Sequence, residues 1–256
     1  MDNQKRIDYI DVFRGLAIMH MLLYHLLYDL KYIFQLDMPF FSIQSWYYYQ
    51  MHIVLSFIFI SGASAVHSKK LIKNALRLLL LSLVITVATS TLMPSEAIYF
   101  GVLHFLSLAM LLLALYKKWE DILSKKFSLL RSKGFSLFMF FLDLILLVGY
   151  RGFFVKTSFY QSIHSFLMQF PLAFAFGFDR PDFSSADYVP LLPWILFTFC
   201  GYHFGRFLKQ SHFDPSMDSA PSRFLKALGQ RSLRIYLLHQ PIFLALLYAI
   251  FSVTKS

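Results

Sequence analysis

Apolar residues in this chain come in long runs broken by short polar stretches. Seven runs reach the ~17–25 residues that a helix needs to cross a bilayer. They lie at approximately 10–30, 46–66, 75–93, 98–116, 134–150, 189–208 and 232–253. An eighth, 163–178, is shorter and carries Pro171, which predicts a re-entrant or interfacial segment. The Pro- and Ser-containing stretch 211–222 reads as a cytoplasmic loop. The loops alternate in charge. One set holds Lys5 and Arg6, then Lys69, Lys70, Lys73 and Arg77, then Lys117, Lys118, Lys125, Lys126, Arg131 and Lys133, then Arg206, Lys209, Arg223, Lys226, Arg231 and Arg234. The other holds Lys31, Arg151, Lys156, Arg180 and Lys255. The positive-inside rule then predicts a cytoplasmic N-terminus and an extracytoplasmic C-terminus in a cell membrane. The pattern as a whole predicts an all-α polytopic membrane bundle of about seven transmembrane helices, forming a single domain over residues 1–256.

Composition agrees. The chain is 57% hydrophobic and 15% charged, where a soluble domain carries about 25% charge. The first apolar run is long, contains polar residues and has no small-x-small exit, so it reads as a retained signal anchor. A net charge of +10 raises the question of nucleic acid. The basic residues are dispersed between apolar runs, so they serve topology instead. The single cysteine, Cys200, excludes an intrachain disulfide. No P-loop, GxGxxG, GxSxG or metal-type Cys/His spacing occurs.

Titratable groups inside the runs are the informative ones, because each costs roughly 2.5–3.5 kcal/mol in a bilayer and faces a protein interior. Arg14, His25 and Asp29 fall on one stripe of the first helix. Asp29, one turn beyond His25, can fix the imidazole tautomer and raise its basicity, as a general base requires. His104, His52 and the segment Asp187 to Trp194 are predicted at the same outer depth. Arg14 and the segment Gly229 to Pro241, with Arg231, His239 and Gln240, form a second set toward the cytoplasm. Arg14 suits a phosphate, or pairs with Asp11. His20, His52 and His203 read as helix–helix hydrogen-bond partners, and His67 and His212 as solvated loop-edge groups. Asp143 needs a partner that the sequence does not name. Ser61-Gly62-Ala63-Ser64 and Gly201-x-x-x-Gly205 read as close-packing faces.

At these residues the chain resembles the catalytic domain of heparan-α-glucosaminide N-acetyltransferase and its bacterial relatives, in the wider transmembrane acyltransferase superfamily. The resemblance rests on Arg6-Ile-Asp8-Tyr-Ile-Asp11-Val-Phe-Arg14-Gly15-Leu-Ala17, Met21-x-x-x-His25-x-x-x-Asp29-Leu30 and Phe57-Ile-Phe-Ile-Ser61-Gly62-Ala-Ser64. It continues through Asn74 with Arg77, Phe100-Gly101-Val-Leu-His104, Asp187-Tyr188-x-Pro190-Leu-Leu-Pro193-Trp194 and Ser232-Leu-x-Ile-Tyr236-Leu-x-His239-Gln240-Pro241. The ordered set is specific where each segment alone is weak. It implies an acyl-CoA donor, acetyl-CoA or another, held from the cytoplasm, and a carbohydrate-type acceptor on the far side.

The eukaryotic lysosomal enzyme of this family carries its proposed catalytic histidine between the first two of these helices. The corresponding stretch here, near Phe41 and Ser42, has none, which points to the bacterial subgroup and to His25, His104 or another histidine. The implied roles are therefore His25, Asp29 and His104 in catalysis; Arg14, Arg77, Arg231 and His239 on the CoA side; and Asp187 and Trp194 on the acceptor. No metal and no permanently bound cofactor is expected, and a homodimer is allowed for. Whether an acyl-histidine forms stays open. The reading from another class is a small proton-coupled transporter or channel, with His25, Asp29, Asp143 and His239 as its relay.

Overall fold

The computed structural model describes residues 7–38 and 42–253. Lys5, Arg6, Phe41 and Lys255, named above, lie outside the described residues. Within them the chain is helical and without strands, as the hydrophobic pattern predicts. The helices are α1 (Asp8–Tyr28), α2 (Ile43–Ala65), α3 (Leu71–Leu92), α4 (Val102–Lys126), α5 (Lys133–Gly152), α6 (Ser158–Leu167), α7 (Leu191–Gln210), α8 (Ala220–Gln230) and α9 (Ser232–Val253). Seven of the nine coincide with the seven predicted runs. Five spans, at α1, α3, α4, α5 and α9, are long and apolar enough to cross a membrane. Apolar side chains on their outer faces are open, among them Leu80 and Val87 of α3 and Ile145 and Val148 of α5. Such faces suit lipid, with the polar residues turned inward. The chain is a membrane protein.

Two compact units appear, one made of Met1–Phe57 with Asp214–Ser256, the other of Ile58–Phe213. In the first, α1 packs on α8 and α9. The α1–α8 approach is at backbone contact: a Cβ on Gly15 would strike the Leu225 carbonyl, and one on Gly229 the Asp11 carbonyl. Lys226 and Asp8 close one end of this pair at 2.6 Å. Ile18, Met21 and Tyr24 of α1 bury themselves with Trp46 and Ile53 of α2.

α8 is the element that the sequence reading missed, since 211–222 was read as a loop. Its start is nonetheless written at Ser219, whose hydroxyl accepts from the Ser222 N–H, with proline in the first turn. Beyond Tyr28 the last turn of α1 widens into a π-helix, Asp29–Ile33. Such single turns gather at functional sites.

In the second unit α3 packs on α4, and α7 on α4 and α5. Ala65, Leu71, Leu113 and Tyr202 form its buried centre. The two predicted small-residue faces meet each other here. Gly62 abuts the Thr198 carbonyl, Gly201 that of Phe59, and a Cβ on Gly205 would lie 2.7 Å from the Ala63 carbonyl oxygen. Lys117 donates to the carbonyls of Ala65, Val66 and Ser68 at 2.8, 3.3 and 3.3 Å, so a cation caps the C-terminal end of α2. The 163–178 segment holds only the second half of α6, itself ten residues long, and a 3₁₀ turn at Ala173–Phe176 ending on Gly177 at φ 95°. A ten-residue helix is ~15 Å long and cannot cross a bilayer.

Candidate active site in the first unit

α1 and α9 carry the ionisable stripe and its counterpart. His25 faces His239, ring centroids 4.6 Å apart at 59°. One turn on, Asp29 is fully buried and its Oδ1 accepts from Gln240 Nε2 at 2.8 Å. The stripe thus turns inward as predicted, and consecutive residues of α9 meet residues one turn apart on α1. The carboxylate is held by Gln240, however, and among the described residues no hydrogen bond joins Asp29 to His25.

His239 Nδ1 lies 2.7 Å from the Tyr236 carbonyl, an acceptor, so the proton sits on Nδ1 and the lone pair on Nε2. His239 Nε2, Asp29 Oδ2 and Gln240 Oε1 are all buried without a hydrogen-bond partner among the described residues. Buried polar atoms are nearly always paired, because leaving one unpaired costs ~1–3 kcal/mol. Three together mark a place built for polar chemistry. His20 and Tyr49 (3.0 Å) and the His20–His52 ring contact lie in the same unit, in keeping with the helix–helix role read for those histidines.

The remaining candidates, His104 and the Asp187–Trp194 segment, belong to the second unit and have local tasks. Thr86 Oγ1 donates to the Ile98 carbonyl at 2.7 Å, which leaves it to accept from His104 Nε2 at 3.2 Å. His104 Nδ1 then accepts from the Gly101 N–H at 3.3 Å. Both imidazole nitrogens are therefore used, and they fix the start of α4. Asp187 Oδ2 accepts from the Val102 N–H at 3.0 Å, a second cap on the same helix end. Ala186 and Val189 lace the segment to Ala97 and Phe100 through backbone bonds of 3.2 and 3.0 Å. Nearby, Tyr188 donates to the Phe174 carbonyl at 2.6 Å. Burial, then Asp179, raises its phenol above the usual range, so it stays a donor. Trp194 is buried, and the Arg151 guanidinium lies 4.7 Å from its ring centroid, so a cation covers a face that the sequence offered to a sugar.

A family model described as heparan-alpha-glucosaminide N-acetyltransferase, catalytic, matches residues 6–241. The chain belongs to this family. No curated protein and no solved structure gives a significant match. Membership in this N-acetyltransferase family makes the chain a transferase by class, consistent with its membrane-type helices. The matched range includes every site residue named here.

Within this acetyltransferase the cationic candidates are dispersed. Arg14 pairs with Asp11 at 2.6 Å, the alternative weighed from the sequence. Arg77 on α3 and Arg231 between α8 and α9 are exposed. His239, grouped with Arg14 in the sequence, stands instead against His25. Asp143 Oδ2 lies 3.8 Å from His203 Nε2, beyond hydrogen-bond reach, with Tyr116 Oη 3.5 Å from the same nitrogen. Glu120 is buried between Arg206 and Tyr202, whose hydroxyl donates at 2.8 Å. The residue that sequence reasoning left without a role is Gln240. The available signal was its position, which puts a polar side chain between His239 and the helix-interior Pro241.

Proposed function

We propose that the chain is an acyl-CoA-dependent membrane acetyltransferase. It moves an acetyl group from a cytoplasmic donor to an amine or hydroxyl of a carbohydrate-type acceptor on the far side. The observation that carries this reading is the buried α1–α9 constellation: a histidine of fixed tautomer, a second imidazole against it, and a carboxylate held by an amide.

In the proposed step, His239 Nε2 takes a proton from the acceptor as its nitrogen or oxygen attacks the thioester carbonyl. The C–S bond breaks, CoA leaves as the thiolate, and the imidazolium returns the proton to sulfur. His25 packs beside the base, and Asp29, anchored by Gln240, stabilises the transient positive charge. Arg231, exposed between α8 and α9, supplies a cation for the CoA phosphates. His104, Asp187 and Trp194 keep local tasks in the second unit, at the start of α4 and under the Arg151 guanidinium.

The test is transfer of carbon-14 acetyl from acetyl-CoA to glucosamine and other amino sugars by the full chain in nanodiscs. Time-dependent labelled product in wild type, lost in His239→Gln, is the result expected. A folded wild-type protein that neither binds nor turns over acetyl-CoA would overturn the assignment and favour the relay reading.

A further inference from the structure

The basic end of α3 and α4 carries a feature that acetyl transfer does not use. Lys69, Lys70 and Lys73 face Lys117, Lys118 and Asp121 across a cleft of about 430 Å³, five ammonium groups against one carboxylate. Lys117 is committed to the α2 carbonyls, while Lys69, Lys70, Lys73 and Lys118 are exposed. Like charges so gathered repel one another unless an anion joins them. Lys118 also lines a second cleft, about 490 Å³, whose other walls are Leu115, Tyr116, Trp119 and Ile122. Leu115, Trp119 and Ile122 are all more than half exposed. A cationic cleft and an apolar groove therefore share one lysine, beside an exposed tryptophan of the kind that marks the headgroup level of a bilayer.

We propose that these two clefts form a binding site for one anionic phospholipid. The phosphate lies among Lys69, Lys70, Lys73 and Lys118, and an acyl chain lies along Leu115, Trp119 and Ile122. A basic pocket between membrane helices on the positively charged side is the arrangement that recognises such headgroups. A soluble phosphate would match the lysines but would leave the adjoining apolar groove uncovered. The proposal is independent of the acetyltransferase reading, and its readout involves no turnover.

The experiment uses the full chain in nanodiscs of phosphatidylcholine mixed with phosphatidylglycerol, followed by native mass spectrometry to count retained lipid. Wild type is expected to keep one phosphatidylglycerol in preference to phosphatidylcholine. The fourfold variant Lys69→Gln, Lys70→Gln, Lys73→Gln, Lys118→Gln should lose that preference, roughly fivefold for each lysine removed. A matched variant, Lys125→Gln, Lys126→Gln, Arg131→Gln, Lys133→Gln, loses the same charge on the same side and should keep the lipid. Should the fourfold variant fail to fold, Lys118→Gln alone is measured, with a roughly fivefold loss expected. Equal retention of both lipids or equal loss in the matched variant overturns the site. So does adenosine 3′,5′-bisphosphate displacing the lipid from the four lysines.

Discussion

His104 and His239 are both buried histidines on membrane helices, and their surroundings use them in opposite ways. Around His104 both ring nitrogens are taken, one by the Gly101 N–H and one by the Thr86 hydroxyl. Around His239 one nitrogen is anchored on the Tyr236 carbonyl, and the other keeps its lone pair without a partner among the described residues. The first arrangement fastens the start of α4 and leaves nothing to accept a substrate proton. The second fixes a tautomer and keeps a base. The sequence assigns His104 to catalysis and His239 to the CoA side; the hydrogen bonds separate them the other way.

The contrast breaks most directly at His239. His239→Gln should lower acetyl-transfer kcat by roughly 100- to 10,000-fold, the usual weight of a general base. The thermal midpoint should stay near that of wild type, because the amide refills the volume and can still reach Tyr236. Near-wild-type turnover in a folded His239→Gln protein would remove the base from the mechanism. Asp29→Asn should come next, at roughly tenfold or more, since it keeps a polar partner for Gln240 and removes only the charge beside the forming imidazolium. An Asp29→Asn variant that turns over normally but unfolds earlier would make the carboxylate a packing group.

For His104 the expected cost falls on stability. His104→Ala frees the Gly101 N–H and the Thr86 hydroxyl at once, a loss of about 1–3 kcal/mol on the scale of caps and unpaired buried groups. It is read as a lower thermal midpoint, with transfer per folded molecule within about threefold of wild type. A protein with unchanged melting and abolished transfer would invert the comparison and return His104 to the chemistry. Thr86→Val sharpens it further, since it removes one of the two partners and should cost part of the same stability.

Much of this was legible in the residue pattern. The seven long helices follow from apolar runs of spanning length, and the inward stripe of α1 from 100° periodicity. The two small-residue faces were each recognised, although only the folded chain shows that Gly62 and Gly201 serve one seam. The partners were hidden. Asp29 and Gln240 lie far apart in sequence, and nothing local says that the carboxylate will choose that amide over His25 one turn away. Grouping by segment misled for His239, because it lies two turns into α9, where it meets His25 and not Arg14. α8 was hidden for another reason: its 11 residues are short and only partly apolar, so a search for spanning runs passes over it. Its docking on α1 is written in two glycines rather than in a hydrophobic run.

A third histidine gives the smallest effect and tests the same logic from the electrostatic side. His67 sits in the link between α2 and α3, outside the spans. Burial, then Lys209 and Lys117, push its imidazole down to about 4. A base whose folded value lies below its unfolded value of about 6.5 is neutral in the native protein at pH 7. As the pH falls, the unfolded chain takes up a proton that the folded chain resists, so stability is fully present above about 6.5 and lost progressively toward 4. The site is partly solvated and screening trims the effect, so a fall of a few degrees in melting midpoint is expected between pH 7 and 4.5. His67→Gln should remove that share of the fall and leave the rest. If wild type and His67→Gln lose midpoint in parallel across this range, the lysines do not govern the histidine. The imidazole would then titrate alike in the folded and the unfolded chain, and burial would not hold it neutral either.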